Sequence, residues 1–450
     1  MTENKTMRVL VIGAGMAGSE AAYFLAQKGV SVVLVENKTL QMNPAQKIPS
    51  FAELVCTNSL KSKDPNSAHG LLKTEMNYFG SLILKAANIH AVPAGDALAV
   101  DREKFSEEVT QTLKNHPLIR VVEAEAENPV EMMKQFECSY VIIASGPLTT
   151  KKLETWIMSE VSPDDFYFYD AIAPVVDADT LDYSKLYFKD RHKSPDESAD
   201  YLNAPMNKEQ YYAFIEALVS AEKSQAKDFE DWKFFESCLP VDLMAERGKD
   251  TARFSCMKPI GLEIDGKEPW AVVQLRKENL LGSAFNLVGF QTRLTHKEQV
   301  RVFRMIPGLE EASFLHLGSV HRNSYLNARK LLGNDLSLNS NPSVYFAGQI
   351  TGVEGYTESA SMGIYAAVQV WQKIQNKDAL VFPVETGMGA LVNYIMTNPK
   401  PVPSNLNFGL LPSIDLTKEQ RRNKNRKKIK KELVAEKARM VFDQFISGVE

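Results

Sequence analysis

The sequence predicts an α/β fold organised on a parallel sheet, and two distant stretches of the chain support this prediction. The chain opens with a short apolar strand, Arg8 to Ile12, which leads directly into the glycine turn Gly13 to Gly18. A helical apolar pattern follows over Ser19 to Gln27, and a second apolar run extends from Val30 to Val35. Much later, Pro342 to Gly348 is again a strand that ends in glycine before a helical pattern. Strands that alternate with helices in this way favour a parallel sheet.

The glycine turn has the spacing of a dinucleotide-binding fingerprint, because it lies between a strand and a helix and a second strand ends on Glu36. In this motif Gly13 makes the tight turn, Gly15 lets the backbone approach a pyrophosphate, and Gly18 lets the helix pack against the strand. Glu36 lies where an acid accepts ribose hydroxyls. In this context a glycine-rich turn that binds no ligand is disfavoured. The stretch alone does not distinguish FAD from NAD as the cofactor.

The late stretch moves the choice to FAD. After the strand come Gly348 and Gln349, then Tyr356 and a helix expected from about Glu358 with small residues at its start. Such a return to the nucleotide domain is typical of FAD proteins of the glutathione-reductase type, and no second GxGxxG is present for an NAD domain. We therefore predict FAD as cofactor, held by Gly13, Gly15, Gly18, Glu36, Gly348, Gln349 and Tyr356.

The remaining patterns predict the order of elements and domains. Helical spacing is expected over Leu71 to Ala87, Phe105 to Lys114 and Asn207 to Ala226, and strands over Leu118 to Val122, Tyr140 to Gly146 and Pro269 to Arg276. The predicted fold class is a Rossmann-type, glutathione-reductase-like FAD domain with an inserted α+β domain and a helical carboxyl-terminal segment. Its predicted parts are 1–150 (FAD domain, first part), 151–332 (inserted domain), 333–390 (return to the FAD domain) and 391–450 (helical, basic segment).

Composition excludes several classes of protein. The hydrophobic content of 44% and the charged content of 24% are those of a globular chain, and no apolar run reaches the length of a membrane span. The start has no apolar signal-peptide core, so a cytoplasmic protein without membrane association is expected. Four separated cysteines without a CxxC pair argue against a disulfide framework and a cysteine metal site.

The net charge of −4 is unevenly placed, because basic residues crowd the range 418–431. A solvated helix face is the ordinary explanation of such a run. If the substrate is RNA, the same run is a candidate surface for phosphates.

Ten longer motifs resemble one known family. They are FAELVCTNSL (51–60), VPAGDALAVDR (92–102), FYDAIAPVVDAD (168–179), FESCLPVDLMAERGKDTARF (235–254), MKPIGL (257–262), NLVGFQTRL (286–294), RVFRMIPGLE (301–310), HRNSYLN (321–327), YFAGQITGVEGYTESA (345–360) and NFGLLP (407–412). Nearly the whole chain, in order, is similar to the folate- and FAD-dependent RNA (uracil-5-)-methyltransferases.

The resemblance implies methylation of carbon 5 of a uridine in RNA, with a uridine in the T-loop of tRNA as the first expectation. Methylenetetrahydrofolate would supply the carbon, reduced FAD the hydride, and NADH or NADPH the electrons, and no protein partner is evident. Thr57, Lys61 and Asp96 depart from the usual pattern, and they leave open a paralogue that methylates 23S rRNA. A flavin oxidoreductase without methyl transfer is a further alternative, disfavoured by the absence of a CxxC pair.

The same resemblance implies Cys56 and Cys238 as catalytic thiols. Since a thiolate adds readily to carbon 6 of uracil and leaves again, one cysteine would attack there and the other would handle the proton on carbon 5. Cys238 is favoured as nucleophile because it lies in the inserted domain. Cys138 is expected to be an inert buried thiol, and Cys256 stays undecided.

Four further residues are candidates for substrate binding. Arg247, Arg253 and Lys258 are candidates for binding folate carboxylates or RNA phosphates, with structural ion pairs as an equal alternative. His321 is expected in the cofactor or substrate pocket.

Overall fold

A computed structural model of the chain describes residues 7–43, 45–161, 168–171, 173–191, 199–224, 239–277, 284–318, 320–398 and 403–448. The strands are β1 (Arg8–Ile12), β2 (Ser31–Glu36), β3 (Ser59–Ser62), β4 (Ala91–Val92), β5 (Ala97–Val100), β6 (Ile119–Glu123), β7 (Tyr140–Ile143), β8 (Phe168–Ala171), β9 (Val175–Asp177), β10 (Tyr187–Phe188), β11 (Tyr201–Met206), β12 (Ala271–Lys277), β13 (Ala284–Leu287), β14 (Phe314–His316), β15 (Val320–Asn323), β16 (Ser337–Leu338) and β17 (Asn341–Phe346).

The helices complete the architecture. They are α1 (Met16–Gln27), α2 (Ala68–Tyr78), α3 (Leu82–Ile89), α4 (Arg102–Lys114), α5 (Pro129–Gln135), α6 (Lys151–Glu160), α7 (Lys208–Ser220), α8 (Val241–Arg247), α9 (His296–Phe303), α10 (Ala328–Leu331), α11 (Tyr356–Ile374), α12 (Gly387–Thr397), α13 (Lys418–Arg422) and α14 (Arg426–Ser447). Within the described residues, no helix is both long enough and apolar enough to cross a membrane.

A six-stranded sheet in the order β16-β17-β7-β1-β2-β6 forms the centre of the first domain. Its pairs are parallel except β16 with β17. The strands β1, β2 and β7 are almost wholly apolar and buried, as expected where helices cover both faces of a parallel sheet. Residues far apart in sequence therefore build one core, and β17 pairs with β7 across the inserted segment.

Helices α1 and α11 pack together against this sheet. A Cβ atom added at Gly363 would lie 2.1 Å from the backbone oxygen of Ala17, and one added at Gly18 would lie 1.8 Å from the oxygen of Gly13. Glycine is thus required at both positions, because any side chain would separate the backbones. This close approach brings the start of α11 beside the glycine turn.

A second six-stranded sheet, in the order β10-β11-β12-β13-β9-β14, forms the centre of the inserted segment, and its pairs are antiparallel. One face carries Val273, Leu275 and Leu287 into an apolar core with residues of α7 and α9. The alternate positions Gln274, Arg276 and Asn286 lie on the opposite face. This face is polar, and it borders the site described below.

The predicted fold class is confirmed, and two elements differ in detail. The helix expected over Asn207 to Ala226 ends at Ser220, because Ala221 has an extended backbone. The helical spacing over Leu71 to Ala87 belongs to two helices, α2 and α3, that are separated at Phe79, Gly80 and Ser81. Gly80 has φ of +73°, a left-handed conformation that ends a helix, and the Ser81 side chain accepts a hydrogen bond from Leu84 N at the start of the next.

Candidate active site

A cavity of about 210 Å³ opens where the glycine turn meets the second strand and the start of α11; we call it the dinucleotide cavity. Its walls include Gly13, Gly15, Glu36, Gly348, Gln349 and Tyr356. Three of the six are glycines and a fourth, Gln349, presents an amide, so ligand recognition here rests on close approach to the backbone.

Gly13, Gly15 and Gly18 have different structural roles in this turn. Gly13 has φ of +97°, and a Cβ atom there would lie 2.5 Å from the backbone oxygen of Ala144 on the neighbouring strand segment. At Gly15 an added Cβ would meet no atom within 4 Å, which shows open space in front of that backbone. Gly18 lies behind the turn and serves the packing of α1. The cradle therefore fits the pyrophosphate of a dinucleotide, with helix α1 starting at its edge.

Glu36 is held across the turn by three backbone N–H groups. One carboxylate oxygen accepts from Ala14 N at 2.5 Å, and the other accepts from Asn37 N and Lys38 N at 2.8 and 2.9 Å. A carboxylate fixed at the edge of the cavity suits ribose hydroxyls, since the oxygen that accepts only from Ala14 N keeps a second acceptor site.

A second cavity, of about 400 Å³, adjoins the first; we call it the reaction cavity. The two share Ala45, Val55, Pro147, Leu148, Gln349 and Tyr356 as wall residues. Cys56 lines the reaction cavity, and Arg276 and Asn286 line it from the antiparallel sheet. The reaction cavity therefore lies between the two sheets, with the dinucleotide cavity behind it.

The backbone at Cys56 is fixed by Tyr356. The phenol oxygen accepts from Cys56 N at 2.8 Å and from Thr57 N at 3.4 Å. Burial raises the pKa of Tyr356 well above its usual value, and the neighbouring Cys56 thiol raises it further, so the phenol stays protonated. Tyr356 is thus a structural link between the wall of the dinucleotide cavity and the thiol.

Arg276 and Asn58 join the Cys56 loop to the antiparallel sheet. The Arg276 guanidinium donates to Thr57 Oγ1 and, at 3.0 Å, to Asn58 Oδ1. Asn58 in turn donates through Nδ2 to Lys277 O at 2.6 Å and to Val100 O at 3.2 Å. Because Arg276 is 7% exposed and Asn58 is fully buried, these bonds are shielded from water.

A charged group lies beside the same loop. Glu358 is fully buried, and one of its carboxylate oxygens lies 3.3 Å from Lys61 Nζ and 3.4 Å from His69 Nε2. Burial opposes ionisation of Glu358, but Lys61 and His69 outweigh it and lower its pKa to about 2. The ion pair holds Lys61 at the wall of the reaction cavity.

The predicted site residues differ in where the structure places them: some line the two cavities, some are not described or described only in part, and some lie elsewhere. Cys56 and the predicted cofactor residues other than Gly18 line the two cavities. Cys238 lies outside the described residues, and for His321 only the backbone, within β15, is described.

The other predicted substrate residues lie elsewhere on the inserted segment. Arg247 ends α8 and is exposed, as is Lys258. Arg253 donates to Trp270 O at 2.7 Å and stacks 4.1 Å from the centre of the Trp270 ring. None of the three lines either cavity.

Two other cysteines have suppressed reactivity. Burial raises the pKa of Cys138 to about 11 and that of Cys256 to about 12, so both thiols stay protonated near neutral pH. Neither lines a described cavity wall.

Comparison with known proteins agrees with this architecture. The family model for glucose inhibited division protein A matches residues 8–378. A methylenetetrahydrofolate–tRNA-(uracil-5-)-methyltransferase TrmFO of Natranaerobius thermophilus is 47% identical over 98% of this chain and 99% of its own length. The chain belongs to the TrmFO family.

One further sequence relative and one solved structure are also similar to this chain. The TrmFO of Heliobacterium modesticaldum is 50% identical over 91% of this chain and 92% of its own. GidA of Aquifex aeolicus, a solved structure, aligns with 99% of this chain and 74% of its own at a TM-score of 0.68 and 15% identity, which supports the fold. Membership of the TrmFO family was predicted from the motifs and is confirmed.

The sequence motifs did not single out Arg276, Asn286 or the Lys61–Glu358 pair as site residues. Asn286 opens the motif NLVGFQTRL and Glu358 lies within YFAGQITGVEGYTESA, so both were within recognised stretches. Arg276 had only the alternation of β12 as a signal, and alternation does not show which polar face borders a cavity.

Proposed function

We propose that this TrmFO-family chain methylates carbon 5 of a uridine in tRNA and takes the carbon from methylenetetrahydrofolate. The observation that carries the proposal is the position of Cys56 in a cavity that shares a wall with the dinucleotide cavity. The name of the TrmFO relatives indicates the substrate, tRNA, and the carbon donor, methylenetetrahydrofolate.

Carbon 5 of uracil becomes nucleophilic only after a group adds to carbon 6, and a thiolate suits that addition. Cys56 and Cys238 are the two thiols we assign to this chemistry. One adds to carbon 6, and the other accepts the proton that carbon 5 must lose. Tyr356 and Arg276 hold the Cys56 loop for either role, because Tyr356 accepts from the Cys56 backbone and Arg276 donates to the side chains of the next two residues.

FAD fits the dinucleotide cavity, with Gly13 and Gly15 at its phosphates and Glu36 at its ribose. Gly18 acts indirectly, by keeping α1 close to the turn. When reduced, the bound flavin supplies the hydride that converts a methylene to a methyl group. We assign Gly348, Gln349 and Tyr356 to the end of the cavity that adjoins the reaction cavity, since the last two line both. NADH or NADPH is the proposed source of electrons.

The carboxyl-terminal helices offer a surface for the RNA backbone. Residues at the junction of α13 and α14 form a basic concavity with Arg421, Arg422, Lys424, Arg426 and Lys428 in its wall. Arg439 of α14 donates to Pro65 O and Asn66 Oδ1, which fixes this helix beside the segment that follows Lys61. Cationic side chains here would neutralise phosphates and make binding weaken with added salt.

The test is to incubate the purified, flavin-loaded protein with methylenetetrahydrofolate, NADH or NADPH, and one RNA transcript at a time. Mass spectrometry of nuclease digests would locate 5-methyluridine. We expect product on tRNA, and none without folate or when the target uridine is replaced by cytidine. Product on 23S rRNA alone would contradict the tRNA assignment, and absence of product on both would overturn the proposed function.

A further inference from the structure

Asn286 has a buried amide whose nitrogen finds no hydrogen-bond partner among the described residues. Its side chain is 2% exposed, and no described residue accepts from Nδ2. Leaving such a donor unpaired costs about 1–3 kcal/mol, so buried polar atoms of this kind call for an explanation. Asn286 lines the reaction cavity, and a ligand in that cavity is the partner that would satisfy the amide.

Arg276 lies directly opposite Asn286 in the antiparallel register of β12 and β13. Side chains at such paired positions lie on the same face of a sheet, about 5 Å apart at their Cβ atoms. The partners of the Arg276 guanidinium are the neutral oxygens of Thr57 and Asn58, and no ion pair with a carboxylate is formed among the described residues. A buried positive charge therefore stands beside the unpaired amide.

We infer that Asn286 and Arg276 bind the edge of a heterocycle that presents a ring N–H beside a carbonyl group. A carboxamide offers a donor and an acceptor side by side, which matches such an edge with two hydrogen bonds. This inference rests on the proposed function, because uracil and the pterin of folate both carry this edge. The ring N–H beside a carbonyl is common to both ligands, and the experiment below distinguishes uracil from the pterin.

For uracil the same groups also act on the reaction. When a thiolate adds to carbon 6, a sulfur–carbon bond forms and the π bond between carbons 5 and 6 breaks. The negative charge passes from sulfur to an enolate whose oxygen is the former carbonyl oxygen on carbon 4. The N–H of Asn286 and the charge of Arg276, both on side chains that are largely buried, stabilise that oxygen as donors do in an oxyanion hole. No oxidant or reductant enters this step.

The test compares Asn286→Ala and Asn286→Asp with Asn207→Asp in the flavin-loaded protein. Asn207 caps α7, is exposed, and lies outside both cavities, and aspartate caps a helix equally well. The control therefore adds the same charge to the same domain. Two transcripts that differ only in the target base, uridine or cytidine, serve as substrates, and KM is measured for RNA and folate separately.

If uracil is the ligand, Asn286→Ala lowers 5-methyluridine formation about 100-fold or more, as for loss of one oxyanion-hole donor. Asn286→Asp lowers it as well and raises the ratio of 5-methylcytidine to 5-methyluridine, because a carboxylate accepts from the cytosine amino group. Flavin absorbance and the rate of flavin reduction by NAD(P)H stay unchanged. If the pterin is the ligand, the KM for folate rises instead and the base ratio stays fixed.

Asn286 variants that match the control in rate, base ratio and both KM values would overturn the inference while the proposed function stands. A wild-type protein that forms no 5-methyluridine on any transcript would overturn the proposed function and this inference together.

Discussion

The dinucleotide cavity and the reaction cavity share a wall but are built in different ways. The first depends on a short local stretch, in which Gly13, Gly15 and Glu36 are placed by one strand, one turn and the next strand. The second depends on side-chain bonds between distant segments: Tyr356 to Cys56, Arg276 to Thr57 and Lys61 to Glu358. The turn predicted to bind the pyrophosphate is thus a local property of the chain, while the far wall of that cavity and the position of the thiol are properties of the assembled fold.

This difference implies that FAD binding and methyl transfer can be lost separately, by substitutions in different parts of the chain. Damage to the glycine turn removes the ligand of one cavity, and damage to the thiol or its supports leaves that ligand in place. The following three experiments test the separation, from the largest expected effect to the smallest.

Replacing Cys56 by alanine is expected to abolish methyl transfer and leave bound FAD unchanged, because the thiol lines the reaction cavity and Tyr356 still accepts the hydrogen bond from the backbone N–H of residue 56. The same result is expected for Cys238→Ala. Product formation and flavin absorbance are measured on the same sample. Cys138→Ala is the control, since that thiol lies outside both cavities and its pKa is raised to about 11. Full activity of either variant would refute the assignment of that cysteine.

Gly18→Ala and Gly15→Ala separate packing from ligand contact. At Gly18 the new methyl group would collide with Gly13 O, so we expect a loss of about 1–3 kcal/mol in unfolding free energy together with loss of FAD. At Gly15 the methyl group enters open space, so the stability of the apoprotein is expected to be unchanged while FAD binds more weakly. Thermal unfolding without FAD and flavin titration measure the two effects. Equal destabilisation by both variants would contradict this division of roles.

Glu358→Gln tests the charged support of the reaction cavity through pH. The folded-state pKa of about 2 lies below the usual 4.5, so the ionised group stabilises the fold above pH 4.5 and this contribution disappears as pH falls towards 2. The difference corresponds to about 3 kcal/mol near neutral pH. Urea unfolding should show the variant less stable at pH 7 and the gap narrowing towards pH 3. Glu419→Gln, at an exposed acid of α13, should show no such gap.

Much of the fold was predictable because its signals are local. The strand Arg8–Ile12 was predicted with its observed bounds, and helix α4 begins three residues before its predicted start, at a cap formed by Asp101. The predictions were least accurate where a helix is interrupted. The side-chain periodicity of α2 and α3 runs on across Gly80, so the spacing alone does not show the break.

The site was predictable only where a motif carries its own chemistry. The glycine turn and Cys56 belong to such motifs. The roles of Arg276 and Asn286 depend on which face of the antiparallel sheet meets the Cys56 loop, and that is decided by packing between segments more than 200 residues apart. Arg253 shows the converse case, because a basic residue in a recognised motif packs on Trp270 away from both cavities.

The pairing of β17 with β7 has a consequence for synthesis of the protein. Between Ile143 and Asn341 the ribosome must add about 200 residues, which takes on the order of 10–40 s at bacterial elongation rates. Throughout that interval the outer edge of β7 has no partner, and an unpaired strand edge invites association with other chains. Tyr356 and Gly363 emerge later still, so FAD meets a complete binding cavity only after the whole inserted segment has been synthesised. FAD binding therefore follows the synthesis of the inserted segment, which has had time to fold by then.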